Sequence, residues 1–329
     1  KTGLAFLMSF NAFYFTLSKY FQPSGILPDD MLPRQEPSPL GLGLDRRHPW
    51  RLGIMPAGIQ RSNSFPGGAG DLRATYTRTG TGMDSVNILG VRVDNVTTAE
   101  TLALIERFIA EGRPHQIATV NPEFVMRAQQ DAEFRVVLKE CTLALPDGAG
   151  LLWAARLLGQ PLRERVTGSD TVPLIARLSA ARGYRLYFLG AAPGVAERAG
   201  ARLVELFPGL QVVGAYAGSP SDADAPEILA RVASARPDVL FVAYGAPKQD
   251  LWISKHAAAL GIPAMMGVGG SLDFLVGAQK RAPRWLQRLN LEWLYRLIVQ
   301  PWRWRRQLAL PRFVLAVLKE KSIGSHIEP

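Results

Sequence analysis

One cysteine in 329 residues, Cys141, rules out an internal disulfide and any cluster of cysteine metal ligands. Histidine is nearly as scarce. His48, His115, His256 and His326 are scattered without a His-x-x-x-His pair, so no metal site is expected. Such cysteine usage fits a reduced cytoplasmic compartment. No Gly-x-x-x-x-Gly-Lys-Ser/Thr stretch occurs, which excludes a P-loop nucleotidase. The dinucleotide fingerprint Gly-x-Gly-x-x-Gly is also missing: "GVGGSLDF" starts like one but carries Leu272 at the third glycine position. A run of about 20 apolar residues, the length of a spanning helix, is absent too. The nearest approach, Leu4–Leu17, holds Ser9 and Asn11. It has no small-residue cleavage site and only Lys1 as a basic lead, so it is a poor secretion signal. An interfacial helix, a truncated anchor and a mis-assigned start all stay open for it.

Acidic residues are scarce in one place. Between Gln279 and Lys321 there are eleven Lys or Arg and two acids, Glu292 and Glu320, so this end holds nine of the ten net positive charges. A nearly neutral body with a basic end predicts a local anionic partner and not a nucleic-acid coat. The same end is rich in Trp and aliphatic residues, as in "LEWLYRLIVQPWRWRRQL". Amphipathic rings beside arginines suit a lipid headgroup layer. On a continuous helix, Arg296 and Arg303 would share a face, with Pro301 as an interruption.

What remains divides into three parts. Residues 1–83 read as a disordered or membrane-proximal extension, rich in Pro, Gly and Arg from Gln22 to Gly82. Residues 84–278 form an α/β core, and residues 279–329 a C-terminal membrane-associating appendage. In the core, "VNILGVRVDNV" predicts a short strand pair, and Thr97-x-x-Glu100 a capping box opening a helix. Buried-type strands then alternate with helices: Gln116–Val120, Leu143–Leu145, Arg185–Leu189, Gln211–Ala215, Val239–Ala243 and Ala264–Val268 precede helical stretches or a glycine turn. This predicts a Rossmann-like, mostly parallel sheet with helices on both faces. Ligands in that architecture sit at the carboxyl ends of strands.

The residues at those ends are the candidates. Asn121 in "TVNPEF" is placed to cap a helix, and Thr119 to present a hydroxyl to the crevice. Asp147 in "LPDGAG" is either a turn residue or a lone general base. Gly190, in "FLGAAPGVAERA", opens a short loop before a helix, a weak phosphate-binding signal. Lys248 and Gln249 in "YGAPKQDLW" fall at a helix start beside the crevice. Asp222 and Asp224 read as helix-start acids rather than a metal pair.

Seven fragments in order carry a resemblance: "TVNPEF", "LPDGAG", "RVTGSD", "FLGAAPGVAERA", "DVLFVAYGAPKQDLWI", "GVGGSLDFLVGAQKRAPRW" and "LEWLYRLIVQPWRWRRQ". Over about residues 85–319 the chain resembles the WecG/TagA/CpsF glycosyltransferases, glycosyltransferase family 26. The resemblance implies an inverting, metal-independent enzyme without a cofactor. It would move a hexosyl or N-acetylhexosaminyl group from a UDP-sugar to an undecaprenyl-diphosphate-linked saccharide, at the cytoplasmic face of the bacterial inner membrane. It implies Asp147 as catalytic base, Thr119, Asn121, Arg165 and Gln249 as pocket residues, and Arg296, Arg303 and Arg306 as arginines lent by the appendage. A homo-oligomer stays open, as does the sugar. The alternative carried alongside is a Rossmann-type nucleotide binder without glycosyl transfer.

Overall fold

A computed structural model describes residues 77–78, 84–279, 281–283, 285–286, 291–301 and 304–325. The extension expected over residues 1–83 lies outside these but for β1 (Thr77–Arg78), which pairs with the next strand. The organised chain begins with an antiparallel pair, β2 (Asp84–Ile88) and β3 (Val91–Asp94). Leu89 and Gly90 both take positive φ between them, as a two-residue hairpin turn requires. Helix α1 (Thr98–Glu111) follows with the expected capping box: Glu100 N–H donates to Thr97 Oγ1 at 3.2 Å, and Thr97 N–H to Glu100 Oε2 at 2.9 Å.

Six parallel strands then build the main sheet: β4 (His115–Val120), β5 (Leu143–Pro146), β6 (Arg185–Gly190), β7 (Gln211–Tyr216), β8 (Val239–Ala243) and β9 (Ala264–Gly267). Their spatial order is β5-β4-β9-β8-β6-β7, every pairing parallel. Side chains alternate between two cores. Ile117, Leu143, Leu145, Phe188, Phe241 and Met266 face one, with α1, α5 (Gly168–Arg182), α6 (Val195–Leu206) and α9 (Ser271–Leu275). Ala118, Ala144, Leu189, Val242 and Met265 face the other. On that side lie α2 (Pro122–Ala128), α3 (Ala132–Glu140), α4 (Ala149–Leu157), α7 (Ala225–Ala235) and α8 (Lys248–Leu260). Burial on both faces is why the strands other than the edge strand β7 read as largely apolar runs.

The C-terminal region is more integrated than a docking arm would be. Helix α10 (Glu292–Val299) ends before Pro301, and α11 (Trp304–Gln307) is separate from it. The continuous helix that would align Arg296 with Arg303 is therefore not formed, since Pro301 can neither donate to an upstream carbonyl nor clear the preceding turn. Helix α12 (Ala309–Ser325) packs on α2 and α4 and buries Phe313, Val314 and Val317. Phe313 and Val317 belong to the same core cluster as Phe124, Phe134 and Leu151.

Candidate functional site

The chain reverses direction across the sheet after β5, the edge strand next to β4. From β4 it passes to β5 on one side, whereas β6 leads away to β7 on the far side. The crevice at the carboxyl ends of β4, β5 and β9 is where an open α/β sheet takes a ligand.

Asp147 follows β5 directly. Its N–H donates to Val120 O at 2.7 Å, which ties it to the end of β4. Its Oδ2 accepts the Gly168 N–H at 3.1 Å, at the first turn of α5. Thr119 sits on β4 opposite Leu145, and its hydroxyl donates to Gly267 O of β9 at 3.2 Å. Gly168 marks where these groups meet. A Cβ there would stand 3.1 Å from Thr119 Cγ2, 3.7 Å from Asp147 Oδ2 and 3.7 Å from Ser271 Oγ. Thr119, Asp147 and Ser271 thus gather around one backbone position from three separate strand ends. Replacing Gly168 with Ala should change unfolding stability by no more than about 1 kcal/mol, since the better helix preference of Ala is set against the crowding of Thr119. Thr119 would have to give by a few tenths of an ångström, so kcat should fall roughly tenfold. Denaturant unfolding and turnover, measured side by side, check this; unaltered turnover would place Gly168 outside the site.

Asn121 caps α2, its Oδ1 accepting the Phe124 N–H at 3.1 Å, with Pro122 in the first turn. The capping role does not use the Asn121 amide NH2. Close approach holds the two helix starts together: a Cβ on Gly150, in α4, would come within 2.7 Å of Pro122 Cγ.

Gln249 is buried in the first turn of α8. Its Oε1 accepts N–H groups from Gly245 at 3.2 Å and Gly269 at 2.9 Å, stapling the loops after β8 and β9 to each other. Lys248 beside it is exposed. Asp250, one residue on, is fully buried. Gly267 has no side chain because these two occupy its space: Gln249 Nε2 and Asp250 Oδ1 lie 2.6 and 2.9 Å from where its Cβ would stand. Burial, only partly offset by Gln249, pushes the Asp250 carboxyl up to about 7. Gly190 has a packing reason as well, since a Cβ would meet Ala243 C at 2.8 Å and its φ is +98°. The N–H of the next residue, Ala191, is engaged with Ala243 O at 3.0 Å.

Two residues that sequence reasoning passed over stand near the crevice. Arg281 makes a two-pronged contact with Asp170, Nη1 to Oδ1 at 2.5 Å and Nη2 to Oδ2 at 3.0 Å. Burial works against the Asp170 charge, but the Arg281 fork and the Thr167 hydroxyl hold its carboxyl below the usual range. Burial likewise opposes the Arg281 charge, and Asp170, Glu292 and Asp147 in turn raise it. Asp147 thus shares its surroundings with a guanidinium. Arg165 is half-buried in the segment entering α5 and also helps to hold Asp170 ionised. The signal for Asp170 was its place in "RVTGSD"; nothing local pairs it with a residue 111 positions on.

The arginines expected from the appendage fare differently. Arg306 reaches the start of α2, its Nη2 3.0 Å from Glu123 Oε2. Arg296 lies on α10 with its side chain outside the described residues, and Arg303 lies wholly outside them. Asp222 is paired with Lys255 at 2.6 Å, and Asp224 accepts a hydrogen bond from the Ser221 hydroxyl at 3.0 Å.

Residues 86–326 match the sequence model of the Glycosyl transferase WecG/TagA/CpsF family. Curated relatives include the N-acetylglucosaminyldiphosphoundecaprenol N-acetyl-beta-D-mannosaminyltransferase of Bacillus spizizenii, 34% identical over 229 residues, which are 70% of this chain and 88% of the relative. The protein of that name from Bacillus subtilis is 36% identical over 205 residues, 62% of this chain and 79% of its own length. The one from Staphylococcus aureus is 32% identical over 238 residues, 72% and 93% of the two chains. The family match spans the sheet, the Asp147 crevice and the C-terminal helices together, and the chain belongs to the WecG/TagA/CpsF family of glycosyl transferases.

Proposed function

We propose that this chain transfers an N-acetylmannosaminyl group from its UDP derivative to N-acetylglucosamine carried on undecaprenyl diphosphate, with inversion at the anomeric carbon. The acceptor chemistry and the sugar come from the relatives' names. The observation that carries the reading is the convergence of Thr119, Asp147 and Ser271 on Gly168 at the carboxyl ends of the strands. An acceptor hydroxyl is a weak acid, so a carboxylate must remove its proton as the new bond forms. Asp147 is the base: it takes the proton while the acceptor oxygen bonds to the anomeric carbon and the bond from that carbon to the UDP oxygen breaks. Inversion needs this one base, on the face opposite the leaving group. Thr119 and Asn121 orient the sugar and the base, and Arg165 and Gln249 complete the pocket. The departing diphosphate gathers charge as the bond breaks. Arg296, Arg303 and Arg306 meet it, each charge-assisted hydrogen bond contributing about 1.5–3 kcal/mol.

We put the reaction at a membrane surface, on its cytoplasmic side; the lipid carrier in the relatives' names supports a membrane setting. No described helix is long and apolar enough to cross a membrane. The C-terminal part instead exposes Trp285, Ile298, Val299, Trp304, Leu315 and Ile323, with Arg312, Lys319 and Lys321 exposed among them. Apolar side chains interleaved with cations suit an anionic bilayer face, each cation adding about 1 kcal/mol.

The assay is direct. Purified protein, UDP-N-acetylmannosamine and a prenyl-diphosphate-linked N-acetylglucosamine should yield UDP and a disaccharide whose new linkage is inverted by NMR. In the same preparation the protein should sediment with vesicles containing anionic lipid. No disaccharide with any UDP-hexosamine or UDP-hexose would overturn the transfer, and no sedimentation the membrane contact.

A further inference from the structure

A cavity of about 240 Å³ lies beside the crevice, and of its lining the mechanism above uses Arg306 alone. It is bounded by the outer side of α2, the Ala246–Pro247 turn after β8, and the appendage. Its floor is apolar: Phe124 and Phe134 are buried and Met126 is half-buried. Its rim is cationic, with Arg127, Arg306 and Arg312. The one acid among the described residues lining it, Glu123, is matched by Arg306 at 3.0 Å. Among the described residues, Arg127 is paired with Asp131 alone, four residues along the chain, at 3.3 Å. Arg312 is exposed and makes no ion pair with another described residue. The described lining therefore offers two guanidinium groups, the exposed Arg312 and the loosely paired Arg127, over an apolar base.

We propose that this cavity is the subsite for the acceptor's prenyl diphosphate: the diphosphate on Arg127 and Arg312, the first isoprene unit against Phe124 and Met126. This rests on the acceptor chemistry of the proposed function and locates it. Two features favour an amphiphilic anion over a free nucleotide. The cavity is smaller than the roughly 300–1,000 Å³ of sites that enclose whole drug-sized ligands, so it fits a head group and the start of a chain. It also opens beside exposed apolar surface. Leu315 stands one helical turn from Arg312 on α12 and is 67% exposed, with Leu318 next along the same strip. A lipid tail leaving the cavity would run along that strip into the membrane. The other end of the cavity is Glu123, two residues beyond Asn121 at the crevice. A saccharide joined to the diphosphate would thus extend toward Asp147.

The test uses the full chain and a short-chain prenyl-diphosphate-linked N-acetylglucosamine. Arg127→Gln and Arg312→Gln are both exposed changes that leave the core intact. Each should raise the acceptor KM about tenfold or more, the size of one charge-assisted hydrogen bond, with a much smaller change in the UDP-sugar KM. Inorganic diphosphate should compete with the acceptor at least about tenfold more weakly than the short-chain prenyl diphosphate, because only the latter covers the apolar floor. An acceptor KM that stays at the wild-type value in both variants, while the wild type transfers sugar, overturns the subsite and leaves the transferase reading standing. Equal competition by the two diphosphates overturns the apolar half of the subsite. Should the wild type transfer nothing yet bind the prenyl diphosphate in an arginine-dependent way, the transferase reading falls and the subsite survives.

Discussion

Asp147→Asn should lower kcat for sugar transfer by about 10²–10⁴, the usual worth of a positioned general base. The substitution is chosen for what it preserves. The carboxylate Oδ2 accepts the Gly168 N–H at 3.1 Å, and the Asp147 main chain is tied to Val120 O at 2.7 Å. An asparagine oxygen can take the same N–H, and the main-chain tie does not involve the side chain. The loop should therefore stay in place, and UDP-sugar affinity should move little, while the ability to accept a proton is lost. The contrast to measure is kcat against donor Kd, by turnover and by calorimetry, on the same preparation. Retention of more than about a tenth of the wild-type kcat would remove Asp147 from the role of base. A matching loss of donor affinity would make it a binding residue instead.

The core strands were legible because they are buried on both faces. Val239–Ala243 reads as an unbroken apolar run, and its bounds in the structure are those expected. Helix α5 was not legible as a helix. It opens "TGSDTVP", which reads as turn chemistry, and carries Pro173 inside it. It is tolerated because Thr167 caps the start, accepting the Asp170 N–H at 3.1 Å, and because Val172, Ile175 and Ala176 are buried in the core. Tertiary packing outweighs local propensity there. The sheet order was not legible either, since no local pattern says that β9 inserts between β4 and β8. That insertion puts Gly267 under Thr119 and brings Ser271 to the crevice.

Charge and aromatic content revealed the C-terminal region but not its division of labour. One side of α12 is core, through Phe313 and Val317, and another side is exposed, through Leu315 and Lys319. Cutting the chain at Gln279 would therefore remove part of the folded core along with any membrane contact. Filling the space behind Phe313 with nothing costs about 3–5 kcal/mol, as for other large buried aromatics. Point changes on the exposed side separate the two roles, which a truncation cannot do.

Asp250 provides the second large effect, on stability and not on the chemical step. Its carboxyl is fully buried, neither oxygen meets a hydrogen-bond donor of good geometry among the described residues, and burial raises it from 3.8 to about 7. The folded state therefore keeps this proton at a pH where the unfolded chain has already released it. Between those two values the unfolded chain binds fewer protons, so stability falls as pH rises, by on the order of 4 kcal/mol in all, and levels off above about 7. Asp94, also buried and also raised by burial, acts in the same direction, whereas His115 and His256, both lowered by burial, act in the opposite one, so the wild-type slope combines all four groups. Asp250→Asn imitates the protonated acid and should remove only its own share. Urea midpoints at pH 5, 6, 7 and 8 should converge on a shallower slope in the variant, with the largest gain over wild type at pH 8. Equal slopes would mean that Asp250 does not carry its proton into this range. The consequence reaches the crevice because Gln249, the neighbour of this carboxyl, staples the loops after β8 and β9 through Gly245 and Gly269. Ionising Asp250 places a bare charge against Gly267, the residue whose carbonyl holds the Thr119 hydroxyl.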